Sequence, residues 1–175
     1  NTAIGFKASP VNELWFNIYG GYQDLKNDLY ALWYNDMIFD YVDRPIDRIE
    51  RLLYQADTRN VYVGGEVTYN YKQWFSLQAS TIYRHWDTDE TSENIILRFK
   101  PALDAHAEIG FSPLSGLKLA VGYRHIERTE TDVQVDPVSD LYIHGSYELC
   151  NGLSVYARIH NLLDKNYEYY EGCPA

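Results

Sequence analysis

The sequence is poor in several features that would fix its class quickly. It contains no run of 18 apolar residues, so a membrane-spanning helix is excluded. Cysteine occurs twice, at Cys150 and Cys173, too few for a disulfide framework. The two lie at opposite ends of one expected strand, tens of ångströms apart and beyond disulfide reach. Positive charge is scarce: 15 Lys and Arg stand against 25 Asp and Glu, a net charge of −10. That balance repels phosphate and disfavours nucleic acid or an anionic-lipid-binding basic surface. Gly-x-Ser-x-Gly, His-Glu-x-x-His and the phosphate loop are absent, so no enzyme is expected. No charged-then-apolar leader opens the chain, and a signal peptide is expected upstream or already removed.

What the chain has in quantity is tyrosine. There are 17, against 6 Phe and 1 Met. A residue with an apolar body and a polar tip suits a boundary between hydrocarbon and water. The second abundant feature is period-two alternation, the signature of strands with two unlike faces. Leu153, Val155, Ala157 and Ile159 face away from Ser154, Tyr156, Arg158 and His160. Leu117, Leu119, Val121 and Tyr123 oppose Lys118 and Arg124, and Ala105, Ala107, Ile109 and Phe111 oppose His106 and Glu108. The same rhythm runs through 14–19, 61–70, 75–80 and 141–148.

About ten antiparallel strands are expected: 2–9, 13–24, 28–35, 37–43, 60–71, 74–86, 96–112, 117–128, 140–149 and 153–168. Short connections fall at 10–12, 72–73, 113–116 and 151–152, with Asn35-Asp36 as a further short turn. Longer polar connections fall at 43–58, 86–94 and 127–139 and, smaller, at 24–28. Over 43–58 a helical stripe (Ile46, Ile49, Leu52, Leu53) competes with strand extensions, and a partly ordered loop is expected.

A sheet with one greasy and one polar face fits a soluble sandwich or barrel, or an outer-membrane barrel with lipid outside and water within. Short turns at one rim and long loops at the other favour the membrane barrel. So do strands of ~10 residues or more, and Tyr and Trp near strand ends (Trp15, Tyr22, Trp33, Trp74, Tyr83, Trp86).

The segment LSVYARIHNLLDKNYEYYEGCPA (153–175) resembles the penultimate strand of TonB-dependent outer-membrane receptors, with their Asn-Leu-Leu/Phe-Asp/Asn-Lys-x-Tyr signature. LYIHGSYELCNGLSVYARI (141–159) and ILRFKPALDAHAEIGFSPLSGLKLAVGYRH (96–125) resemble the hairpins before it, in receptors of the Bacteroidota kind. The likeness covers roughly 96–175; before that only the rhythm agrees. Cys173 stands where the family usually carries an aromatic. The resemblance implies that residues 1–175 are the C-terminal part of a barrel of probably 22 strands in the bacterial outer membrane. On that reading the plug domain and the final strand lie outside the chain. It implies active import of a scarce large nutrient (a ferric chelate, a corrinoid or an oligosaccharide), powered through TonB by way of a TonB box. Lipid, lipopolysaccharide and a surface lipoprotein would be the partners, and no cofactor is implied. A self-contained small barrel or porin and a soluble ligand-holding barrel are the alternative expectations.

The candidate lumen residues are Glu66, Arg84, His106, Glu108, Lys118, Arg124, His144, Glu148, Arg158 and His160. They fit a network that holds a plug or guides a solute, and equally the wetting of a face that must avoid lipid. His106, His144 and His160 share one parity on three strands; imidazole suits metal or haem, but no ligand spacing selects one. Tyr167, Tyr169 and Tyr170 suit stacking at an extracellular mouth or a place in the aromatic girdle. Asp87, Asp89, Glu90 and Glu93 lack a calcium-loop pattern and read as a solvated loop.

Overall fold

A computed structural model describes residues 1–39, 45–88, 97, 100–130, 136–170 and 173–174; for 28–39, 45–55, 168–170 and 173–174 it describes the backbone alone. The described residues build an antiparallel meander. Its strands are β1 (Thr2–Val11), β2 (Leu14–Phe39), β3 (Pro45–Tyr71), β4 (Phe75–Thr88), β5 (Pro101–Leu114), β6 (Leu117–Arg128), β7 (Val138–Cys150) and β8 (Leu153–Ile159). They lie in one sheet in chain order. A separate two-stranded ribbon pairs β9 (Glu168–Tyr170) with β10 (Cys173–Pro174). Among the described residues, β1 and β8 are the edges and the sheet is not closed.

Several expected boundaries move. Asn35-Asp36 is no turn: the two residues pair with Ile49 and Arg48 inside a continuous β2–β3 hairpin. A two-residue hairpin turn needs positive φ, usually from glycine, and none is present there. The segment 45–58, expected as a loop, is the first half of β3, because pairing with β2 satisfies its backbone and outweighs a weak helical stripe. The expected loop at 24–28 is a bulge between Leu25 and Asp28, with Asn27 left-handed at φ 56. These changes turn ten expected strands into eight in the sheet. The strand expected over 96–112 begins at Pro101, and the strand expected over 153–168 stops at Ile159. Asn161 (φ 54) and Asp164 (φ 49) bend the chain out of the sheet there. Part of the strand expected at 37–43, Asp89, Glu90 and Glu93, and part of the loop at 127–139 lie outside the described residues.

The short turns hold at Asn12-Glu13, 72–74, 115–116 and Asn151-Gly152, all at one rim, while 89–100 and 129–137 connect strands at the other. Gly116 and Gly152 take φ of 82° and 86°, a conformation glycine adopts at no steric cost.

The two faces are exposed in the opposite sense to a soluble sheet. Leu119, Val121, Val155 and Ile159 are 44%, 43%, 51% and 57% exposed, and Ile4, Phe6, Ile18, Val61, Val63, Ile109, Phe111 and Ile143 share their face. Buried Asn17, Asn60, Asp140 and Tyr142 lie on the other face. The accessible area is 12521 Å² for 20.4 kDa, against roughly 8,800 Å² for a compact monomer of that mass. One cavity of about 680 Å³ is lined by Tyr19 of β2, by Arg158 of β8 and by every strand between. Flat, β2 and β8 would stand roughly 29 Å apart, so the sheet curls around its polar side.

Candidate functional site: the tyrosine–histidine cluster of the polar face

Register places nine of the ten candidate lumen residues on the concave face, and His160, just past β8, reaches the same side through Asp140. Register brings only some of them together. At the centre is Tyr142, which the alternation alone does not single out. On the intervening strand β6, Ala120 and Gly122 lie between β5 and β7, with Gly122 paired to both Glu108 and Tyr142. A Cβ added at Gly122 would meet Tyr142 Cζ at 2.2 Å. The tyrosine ring therefore lies flat across β6, and its hydroxyl reaches a strand two places away.

There Tyr142 Oη donates to Glu108 Oε2 at 2.7 Å and lies 2.7 Å from His106 Nε2. His144 Nε2 sits 3.2 Å from the same Glu108 oxygen. The rings of His106 and His144 stack beside Tyr142 with centroids 6.2 and 6.1 Å away, and His160 tilts against it at 5.4 Å. The Arg158 guanidinium lies over the tyrosine ring at 5.6 Å. The three histidines of common parity thus converge on one aromatic ring. Among the described residues no three His, Cys, Asp or Glu side chains gather closely enough to hold a metal ion.

Two further pairs border the cavity. Arg124 holds Asp104 in a fork, Nε–Oδ1 3.3 Å and Nη2–Oδ2 3.0 Å. Asp140, buried, accepts from the Asn161 N–H at 2.7 Å and faces His160 Nδ1 at 2.8 Å. Glu66 lines the cavity near Tyr19, and Arg84 stands opposite Tyr62 with Nη1 buried and without a hydrogen-bond partner among the described residues. Lys118 belongs to a separate concavity near the short turns, with Glu108, His144 and Ser146. Glu148 is exposed beside that rim, its N–H on Gly116 O at 3.0 Å.

The Asn-Leu-Leu-Asp-Lys-x-Tyr segment has a clear physical role. Asn161 clamps the backbone of Lys165 twice, accepting its N–H at 3.0 Å and donating to its carbonyl at 3.1 Å. The bend carries Tyr167 back over the concave face, where it is buried with Ile126 and Val138. Tyr167 is therefore a buried packing residue that also lines the polar cavity; the side chains of Tyr169 and Tyr170 lie outside the described residues.

The expected aromatic girdle divides by parity. Tyr22 and Tyr83 are exposed on the apolar face, as is Trp74 at the short-turn rim. Trp74 joins Tyr71, Phe75 and Phe111 with centroids 5.5 to 5.9 Å apart. Trp15 and Trp86 lie instead on the polar face, one residue out of step with Phe16 and His85. Trp86 packs on Ala56 and Leu97 and donates to Pro101 O at 3.0 Å, with the Lys100 ammonium 4.2 Å over its ring. His85 and His125 take the apolar-face parity near the long-loop rim, and His125 Nδ1 meets Ser139 Oγ at 3.1 Å. Asp87 faces Arg59 at 3.6 Å, and Cys150 is a free, exposed thiol.

No family model matches the chain, and no curated protein matches it.

Proposed function

We propose that the chain is part of an outer-membrane β-barrel, with acyl chains against its apolar face and water along its polar one. The single observation that carries this is the inverted exposure: aliphatic side chains outward, charged and hydrogen-bonded ones on the concave side. On β4 the outward band runs from Phe75 to Tyr83, nine residues whose eight steps span roughly 27 Å of strand and ~20 Å at a 40–45° tilt. A band of ~25 Å between aromatic girdles is the height such barrels present to lipid. Among the described residues no helix is long and apolar enough to cross a membrane.

More narrowly, we propose the C-terminal portion of a TonB-dependent importer of a large nutrient. The support is the segment 141–167, whose Asn161 clamp and Tyr167 anchor give the family-like signature a mechanical purpose. A self-contained eight-stranded barrel is the second reading, favoured by the strand count of the sheet, the size of the smallest outer-membrane barrels. Membrane fractionation with heat-modifiable gel mobility tests the shared part; recovery as a soluble, heat-insensitive species would refute it. Cysteines placed on β1 and β8 separate the two readings. Crosslinking within one chain supports the small barrel. No crosslinking, together with loss of TonB-dependent growth on deleting 141–167, supports the importer.

A further inference from the structure

The tyrosine–histidine cluster is built in a way that lumen wetting does not require. His106-Ala-Glu108 on β5 and Tyr142-Ile-His144 on β7 each present two polar groups at the i, i+2 spacing of one strand face. Ala120 and Gly122 on β6 clear the space between them. Three donor atoms then follow in series: His144 Nε2, Glu108 Oε2 and Tyr142 Oη, separated by 3.2 and 2.7 Å. The tetrahedral edge for metal–ligand bonds of ~2.0–2.1 Å is about 3.3 Å. The 3.2 Å separation already matches it, and the 2.7 Å one opens by about 0.6 Å through χ rotation.

We propose that His144, Glu108 and Tyr142 form an open three-donor site for a late first-row divalent cation, its fourth position open to solvent on the concave face. Imidazole, carboxylate and phenolate together suit Co²⁺, Ni²⁺, Cu²⁺ and Zn²⁺ better than Mg²⁺ or Ca²⁺. On binding, His144 gives up its Nε2 proton to water and takes one at Nδ1, so the ring stays neutral and offers the Nε2 lone pair. As Tyr142 Oη joins the cation its O–H bond, directed at Glu108, breaks and the proton passes to water in the cavity, while His106 Nε2–H, 2.7 Å away, donates to the phenolate oxygen. His106 is thus a positioning residue and no ligand. Glu108 and His144 are both partly open to solvent, which gives the ion a route in. The site depends on the side-chain geometry alone and stands whichever medium meets the apolar face, so it can fail without the barrel reading failing, and the reverse.

The test is Co²⁺ titration of the chelator-stripped, detergent-folded chain, followed by visible d–d absorption. The expected result is saturation at one Co²⁺ per chain, with the intense band of a four-coordinate ion, displaced by Zn²⁺. His144→Ala and Glu108→Gln each weaken binding roughly tenfold or more, and His106→Ala, which removes the donor to the phenolate, weakens it by roughly tenfold to a hundredfold and shifts the visible band. Tyr142→Phe weakens binding and shifts the band, while His125→Ala leaves both unchanged. Should His144→Ala fail to fold, His144→Gln keeps a donor toward Glu108 without an imidazole and carries the same expectation. No saturable uptake by the wild type, or uptake unchanged in His144→Gln and Glu108→Gln, overturns the proposal.

Discussion

Gly122→Ala is expected to dismantle the tyrosine–histidine cluster without altering any of its members. The new Cβ would stand 2.2 Å from Tyr142 Cζ and 2.3 Å from its hydroxyl oxygen, so the ring must swing away. Swinging breaks the 2.7 Å bond to the Glu108 carboxylate and the 2.7 Å contact with His106. A bond to a charged group contributes about 1.5–3 kcal/mol, and a neutral one about 1. Replacing glycine in a strand returns about 0.5–1 kcal/mol of chain entropy. The net expectation is a loss of about 2–3 kcal/mol, read as a lower urea midpoint at unchanged slope in detergent micelles. The decisive control is a double-mutant cycle with Tyr142→Ala, which removes the clashing ring. In that background Gly122→Ala should cost less than about 0.5 kcal/mol. An equal cost in both backgrounds would refute the argument that Gly122 exists to let Tyr142 cross β6.

Three other outcomes are expected. Asn161→Ala loses both contacts with the Lys165 backbone and forces a left-handed φ of 54 on alanine, about 2–3 kcal/mol against the ordered bend. Hydrogen exchange at the Lys165 amide should speed up by more than tenfold, Asn161→Gly should recover only the backbone part, and unchanged exchange in both would sink the clamp. Tyr167→Ala leaves a hole beside Ile126 and Val138, costing about 3 kcal/mol and exposing 160–167 to protease while β1–β8 stay protected; uniform destabilisation would count against a fold-back anchored there. At the bulge, the Asn27 N–H and then Lys26 hold the Asp57 carboxyl below its ordinary 3.8, and Asp57 and then Asp24 hold Lys26 above its ordinary 10.5. A lowered acid stabilises above its unfolded value and loses that as pH falls; a raised amine stabilises below its unfolded value and loses that as pH rises. Protection of the Asn27 amide should therefore be flat between about pH 5 and 10 and fall on either side, and Asp57→Asn should remove the acid limb.

The strand faces were legible because period two is a local property. Leu117 to Tyr123 and Leu153 to Ile159 need only their own neighbours to declare which way they point. The β2–β3 hairpin was not legible, since Asn35-Asp36 resembles a turn until the pairing partner of each residue is known. Trp15 and Trp86 resemble girdle residues by their proximity to strand ends, but their parity sets them on the polar face. The candidate site was half legible. The common parity of His106, His144 and His160 places them on one face, but their convergence depends on Gly122 lying under Tyr142, a relation across three strands. Asp104 and Asp140, which hold Arg124 and His160, follow by the same step of two from His106 and Tyr142. The fold-back of Tyr167 was hidden because two left-handed residues within an otherwise alternating stretch leave no periodic trace.

Which medium touches each side of the sheet is the claim on which everything functional rests. Nitroxide labels at single cysteines, in a Cys150→Ser, Cys173→Ser background reconstituted into liposomes, report it directly. Labels at Val121 and Val155 should relax with dissolved oxygen and ignore a water-soluble nickel chelate, while labels at Ser80 and Ser146 do the reverse. If Val121 and Val155 instead meet the nickel chelate as readily as Ser80 and Ser146, the apolar face does not lie in lipid and the barrel account is wrong.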